Sequence, residues 1–215
     1  MTAAVEATQK GATNLIVLEK MPITGGNTVR ATGGLNAAET PYQKADGIED
    51  SIELFVEDTM KGGKNLNDPK LVQVMAEKSA DAVTWVNEIG GDLSVVGQFG
   101  GASVKRIHRP SDTSAVGPML VNALNAKLKE LDVPVFLETE AVHILLNEEG
   151  AVVGVQAATK GGEPYTISCK AVILASGGFG ANSELVVKYR KDLDGFFAPP
   201  TTPVPLETES LWRKS

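Results

Sequence analysis

The stretch Asn14–Asn36, NLIVLEKMPITGGNTVRATGGLN, decides how the rest of the chain is read. Leu15, Ile16, Val17 and Leu18 form a short continuous apolar run, the pattern of a parallel strand buried on both faces, and Glu19 stands where that strand ends. In open α/β sheets ligands bind at this end of the strands. A carboxylate there can accept both hydroxyls of an adenosine ribose. The glycine pairs that follow, Gly25-Gly26 and Gly33-Gly34, let backbone N–H groups approach a phosphate or a flat ring. Without a ligand the same glycines would simply mark turns; two pairs at this spacing behind a buried strand favour the ligand.

Towards the N-terminus, Met1–Lys10 reads as a helix closed by Gly11. In a dinucleotide-binding unit a buried strand and a GxGxxG turn come immediately before such a helix, with the pyrophosphate on its N-terminus. That turn is absent here, and a preceding buried strand is expected. Downstream, apolar residues recur at helical spacing from Gly47 to Gly62 (Ile48, Ile52, Phe55, Val56) and from Asp68 to Ile89 (Leu71, Val74, Met75, Ala82, Trp85, Val86, Ile89). Asp68 before Pro69 fits an N-cap with proline at the first helical position, and Trp85 on the apolar stripe is read as core.

The segment Val95–Val116 reads as a polar, cation-rich loop carrying Lys105, Arg106, His108 and Arg109. Ser114–Leu131 is a further helix with Pro118 in its first turn. Val133–Leu137 and Ala141–Leu146 read as strands, followed by two β-rich runs, Val152–Ala158 and Tyr165–Cys169, the pattern of a small antiparallel meander, with His143 isolated on a strand and Cys169 a buried apolar residue on a strand. Ala171–Gly180, AVILASGGFG, repeats the opening logic: an apolar strand runs into Ser176-Gly177-Gly178 and then a helix from Asn182, a strand-turn-helix arrangement whose backbone donors suit an anion. The fold class is α/β: an incomplete two-dinucleotide-binding, Rossmann-like domain with a parallel sheet, flanking helices and the meander.

Composition narrows the function. At 215 residues, 42% hydrophobic and 22% charged, the chain is ordinary globular material for one large domain or parts of two. Twenty basic against 27 acidic residues give a net charge of −7, which argues against nucleic acid or an anionic membrane as partner. One cysteine leaves no intrachain disulfide framework, two histidines make no convincing metal site, and no apolar run is long enough to span a bilayer. With no signal peptide in view, the expectation is a cytoplasmic protein.

The combined spacing TAAVEATQKG, NLIVLEK, GGNT and ATGGLN resembles the soluble fumarate reductase flavoproteins of the flavocytochrome c type, with relatives among succinate dehydrogenase flavoprotein subunits, urocanate reductases and ketosteroid dehydrogenases. The resemblance extends to about Phe197. It implies FAD as cofactor and hydride transfer from reduced flavin to an activated C=C bond of a dicarboxylate or related unsaturated acid. By the resemblance Glu19 holds the adenosine ribose, and Asn27 and Thr28 lie near the pyrophosphate and ribityl chain. Gly33 and Gly34 lie against the isoalloxazine, with Lys20, Gly26 and Ala31 as further cofactor contacts. Ala141 and Val142 meet the adenine end, and Ser176 and Gly177 the pyrophosphate. GGAS-x-x-R-x-HRP, here Gly100 to Pro110, resembles a family stretch near the flavin; the family commonly has glycine two or three residues after it, where this chain has Asp112 and Thr113, a departure that bears on the local backbone. His108 is as readily an ordinary loop histidine as a residue that positions flavin or substrate. Arg30, Arg106 and Arg109 could each meet an anion, although solvated surface arginines are the commoner case, and no residue is assigned as catalytic.

The end of the chain departs from the family. From Pro199 to Ser215 the sequence PPTTPVPLETESLWRKS is proline-rich and aperiodic. A permitted choice of codons for it, read from the third base, translates as TNHPGATGDGIAMAEK, which matches the family's continuation. The expectation is therefore a partial FAD-binding domain over residues 1–198, an out-of-frame disordered tail over 199–215, no substrate-capping domain, and no activity from the chain alone. Its alternatives are a subunit completed by a separately encoded chain and a non-catalytic nucleotide-binding or interaction module.

Overall fold

The computed structural model describes residues 1–180 and 182–193. Its elements run in the order α1 (Thr2–Gln9), β1 (Val17–Leu18), a 3-10 turn (Gly26–Arg30), β2 (Leu35–Asn36), α2 (Pro41–Ala45), α3 (Ile52–Gly62), α4 (Pro69–Glu88), β3 (Val95–Gly97), β4 (Ile107–Arg109), α5 (Val116–Glu130), β5 (Val135–Phe136), β6 (Thr139–Leu146), β7 (Val152–Thr159), β8 (Tyr165–Ser168) and α6 (Ser183–Tyr189). They form two compact units, one of Met1–Leu15 with Thr24–Pro134, the other of Ile16–Ile23 with the described residues from Val135 onward. No helix among the described residues is long and apolar enough to cross a membrane.

The first unit is helical around a three-stranded antiparallel sheet of order β2-β4-β3. Its core joins Ala37, Val83, Val86, Leu93 and Val116, with Trp85 partly buried against them and its indole Nε1 donating to Gln9 Oε1. A second cluster packs Phe55 between Ala38 and Ala76. The caps follow local chemistry. Asp68 Oδ1 accepts from the N–H groups of Lys70 and Leu71, Ser51 accepts from Leu54, and Pro69 and Pro118 sit in first turns where a missing N–H costs little.

Four expectations are corrected in this unit. The helix expected over Gly47–Gly62 begins only at Ile52, because Ser51 caps it; a separate short helix, α2, precedes it, opened by a capping box in which Thr40 and Gln43 exchange backbone and side-chain hydrogen bonds. The cation-rich segment is not a loop throughout: Val95–Gly97 and Ile107–Arg109 are strands that pair with one another, and the second also pairs with Leu35–Asn36. On α4 the buried stripe is Val72, Ala76, Ser79, Val83 and Val86. Leu71, Val74 and Met75 point outward, one position out of phase with the face that packs on α3. Arg106 is no surface arginine, being 1% exposed.

In the second unit β1 and β5 form a two-stranded parallel sheet, Val17 opposite Val135 and Leu18 opposite Phe136. β6, β7 and β8 form the expected antiparallel meander, with His143 exposed on β6. Cys169 falls just past β8 and is half-buried. The strand expected over Ala171–Leu174 is corrected: the segment pairs with no strand among the described residues, and Ile173 is 67% exposed. An apolar run becomes a strand only where another strand's backbone can complete its ladder. The helix expected from Asn182 is α6, which begins at Ser183 with Asn182 as its cap, Oδ1 accepting from the Leu185 N–H. The reading of residues 199–215 lies outside the described residues.

Candidate flavin site

Each unit carries its own share of the predicted site. In the second, Glu19 ends β1, and its N–H and C=O complete the ladder with Phe136 O and the Thr139 N–H. Its carboxylate Oε1 accepts from the Met21 N–H at 2.8 Å, which fixes the turn after the strand and holds the acid half-buried. Lys20 is half-buried beside it. Along β6 the register with β7 shifts between Ala141 and His143, so a β-bulge centres on Val142. Ser176 and Gly177 are exposed; Gly177 has φ +80° and a Cβ on it would meet nothing within 4 Å.

In the first unit the glycine stretch is shaped by what packs behind it. Gly25 has φ +108°, and a Cβ there would lie 2.5 Å from Val29 Cγ2 and 2.8 Å from Val121 Cγ2 of α5. A Cβ on Gly117 would collide with the Thr28 carbonyl oxygen, and the Gly117 N–H donates to Ala31 O at 2.9 Å. The start of α5 therefore clamps the 26–31 turn from one side and leaves Gly26, Asn27, Thr28 and Ala31 exposed on the other. Gly34 lies flush against β4, where a Cβ would overlap the His108 carbonyl oxygen. Gly33 differs, since a Cβ there would make only an ordinary contact, 3.7 Å from Ile107 Cδ1.

Behind β4 lies a buried polar assembly. Arg106 Nη2 and Nε donate to both oxygens of Asp50 at 2.6 and 3.0 Å, Nη1 donates to Asp58 at 2.7 Å, and the guanidinium stacks 4.7 Å over the Phe55 ring. Burial works against its charge, but hydrogen bonds and attraction from Asp50 and Asp58 outweigh that and hold the Arg106 pKa above its ordinary value. Gln43 Nε2 bridges Asp50 to the Lys105 carbonyl. His108 is fully buried, with Nδ1 3.0 Å from Arg106 O and Nε2 2.8 Å from Thr40 Oγ1. A carbonyl can only accept, so Nδ1 carries the proton and the Thr40 hydroxyl donates to Nε2. Burial pushes the His108 pKa down, against the backbone carbonyls of Arg106 and Leu35 and the charge of Asp50, and the ring is neutral. Its polar atoms serve this assembly, which makes it a structural residue behind the glycine pair.

Two features here had signals in the sequence that could have found them. The capping box is legible in Thr40-Pro41-Tyr42-Gln43, and it places the Thr40 hydroxyl that holds His108. Thr113, where the resembling family commonly has glycine, adopts φ +65°, a left-handed conformation costly for a β-branched residue. Gly117, in contrast, shows its purpose only through its contact with the turn.

The residues fit FAD. Gly26, Gly177 and Gly178 face open space where a side chain would stand, and Gly33 has only an ordinary contact there, which leaves room for a flat ring or a phosphate. Arg109 Nε beside Gly34 is buried without a hydrogen-bond partner, an orphan that costs about 1–3 kcal/mol unless something accepts from it.

The comparisons with known proteins agree. The family model described as FAD binding domain matches residues 1–202. The chain is 43% identical over 196 residues to the NADH:fumarate oxidoreductase of Klebsiella pneumoniae (strain 342), covering 91% of this chain and 21% of that protein. It is 43% identical over 197 residues to the fumarate reductase (cytochrome) of Shewanella frigidimarina, covering 92% of this chain and 34% of the relative. A flavocytochrome c3 fumarate reductase solved in its open conformation superposes with a TM-score of 0.84 at 40% identity, over 90% of this chain and 34% of that one. The chain belongs to the FAD binding domain family, and its cofactor is FAD. It spans only 21% to 34% of the length of these relatives.

Proposed function

We propose that this chain is the FAD-holding part of a cytoplasmic oxidoreductase that reduces an activated C=C bond, in a dicarboxylate such as fumarate or a related unsaturated acid, and that it has no activity alone. The observation that carries the reading is the family match joined to the open glycine faces at Gly26 and Gly177. FAD, when bound, supplies the hydride. The chain's own share is orientation. Glu19 holds the ribose, with Lys20 next to it. Gly26, Asn27, Thr28 and Ala31 line the pyrophosphate and ribityl chain. Gly33 and Gly34 form the wall beside the ring, Ala141 and Val142 meet the adenine end, and Ser176 and Gly177 meet the pyrophosphate. Residues 1–198 are the partial domain, and 199–215 are an out-of-frame tail.

Titration of the purified chain with FAD, followed by flavin fluorescence and absorbance, is expected to show saturable one-to-one binding, weakened by Gly33→Val. Fumarate-dependent oxidation of a reduced viologen dye is expected to be absent. A chain that binds no FAD sinks the first half of the reading, and one that turns over alone sinks the second. A second reading is a subunit completed by a separately encoded chain, in which case turnover appears only on mixing the two.

A further inference from the structure

The three polar residues of the Arg106–Arg109 run do not share one fate. Arg106 and His108 spend their side-chain polar atoms inside the first unit, on Asp50, Asp58, Thr40 and the Arg106 carbonyl. Arg109 makes no side-chain hydrogen bond or ion pair among the described residues, and its Nε–H is buried. We infer that Arg109 is an anion-binding residue of the flavin site, offering its guanidinium to a planar anion or polar edge at the open face of Gly33. The inference rests on the FAD reading above, which puts the flavin ring beside that glycine.

Three observations carry it. Side chains alternate across a strand, so with His108 turned towards Thr40, Ile107 and Arg109 share the other face of β4. That face meets the glycine pair: a Cβ on Gly34 would lie 2.8 Å from Ile107 Cγ1 and 2.9 Å from Arg109 Cγ, so the arginine's aliphatic stem packs against Gly34. Buried polar groups are nearly always hydrogen-bonded, and a guanidinium presents paired N–H groups that match two acceptor atoms side by side. Two sources offer that chemistry: a carboxylate of the acceptor, and the N–C=O edge of the flavin pyrimidine.

The arginine Nε–H region of a proton–nitrogen correlation spectrum of the whole chain tests this directly. The Arg109 signal is assigned by its loss in Arg109→Lys. It is expected to move on adding FAD if the flavin edge is the source, or on adding fumarate, with or without FAD, if the carboxylate is. Arg109→Met, which keeps the apolar stem, is expected to weaken binding of that same molecule about tenfold, while Arg109→Lys keeps part of it. A signal that neither FAD nor fumarate moves at saturation overturns the inference, as does unchanged affinity for both in Arg109→Met. Flavin absorbance separates this from failure of the FAD reading: FAD bound with Arg109 unmoved by either molecule sinks the inference alone. If FAD does not bind, the FAD reading fails, and the fumarate titration still decides the inference.

Discussion

Gly33-Gly34 and Gly177-Gly178 are both adjacent glycine pairs in stretches that read as ligand-binding turns, yet they have different surroundings. The first pair lies against a strand: Gly34 leaves no room for a Cβ beside the His108 carbonyl, and behind that strand stand an arginine held by two carboxylates and a neutral histidine held by a threonine. The second pair is exposed, with open space where either side chain would be, and the run before it pairs with nothing among the described residues. The same sequence signal thus marks a packed wall in one place and a bare turn in the other. A glycine motif states what the backbone can do, and its neighbours decide whether that freedom is used for packing or for a ligand.

Breaking the support of the first pair should have the largest effect. Arg106→Met leaves Asp50 buried and without its cation, and is expected to cost about 3–5 kcal/mol in urea unfolding; a loss below about 1 kcal/mol would mean water reaches the site. Gly34→Ala must push β2 and β4 apart and should cost about 1–3 kcal/mol. Gly178→Ala, which meets nothing within 4 Å, should stay within about 0.5 kcal/mol. Equal effects at the two glycines would erase the contrast. Thr113→Gly relaxes a left-handed residue next to the wall and is expected to stabilise by about 1 kcal/mol, read as a higher urea midpoint.

The smallest effects are in pH. His108 has a folded pKa below its unfolded value of 6.5, so the unfolded chain takes up the proton first as pH falls. Stability should therefore decline from pH 6.5 downward until the folded pKa is reached, and His108→Asn should remove that slope from unfolding curves collected across the range. Asp92 acts in the same sense, further down the pH scale. Hydrogen bonds from Ser111 and Ser94 lower its pKa from 3.8 to about 2. Its contribution is present above pH 3.8 and is lost as pH falls towards 2. Asp92→Asn should cost about 1 kcal/mol at neutral pH and flatten the acid limb.

Much of this molecule was legible in its residues. The helical periods of α3 to α5, the cap at Asp68, the helix that follows Asn182, the meander and the family spacing around Glu19 and the glycine pairs are local patterns, and local chemistry enforces them. Tertiary structure decided what depends on distant partners. It turned Leu71, Val74 and Met75 outward by choosing a neighbouring stripe of α4, and made strands of a stretch that read as a loop because Leu35–Asn36 was there to pair with it. Ala171–Leu174 was left without a ladder. The sequence alone shows that Arg106, His108 and Arg109 are polar residues at a glycine-rich site. Only the fold assigns two of them to internal partners and leaves the third with a buried, unmatched donor, because burial and hydrogen bonding are properties of what surrounds a side chain.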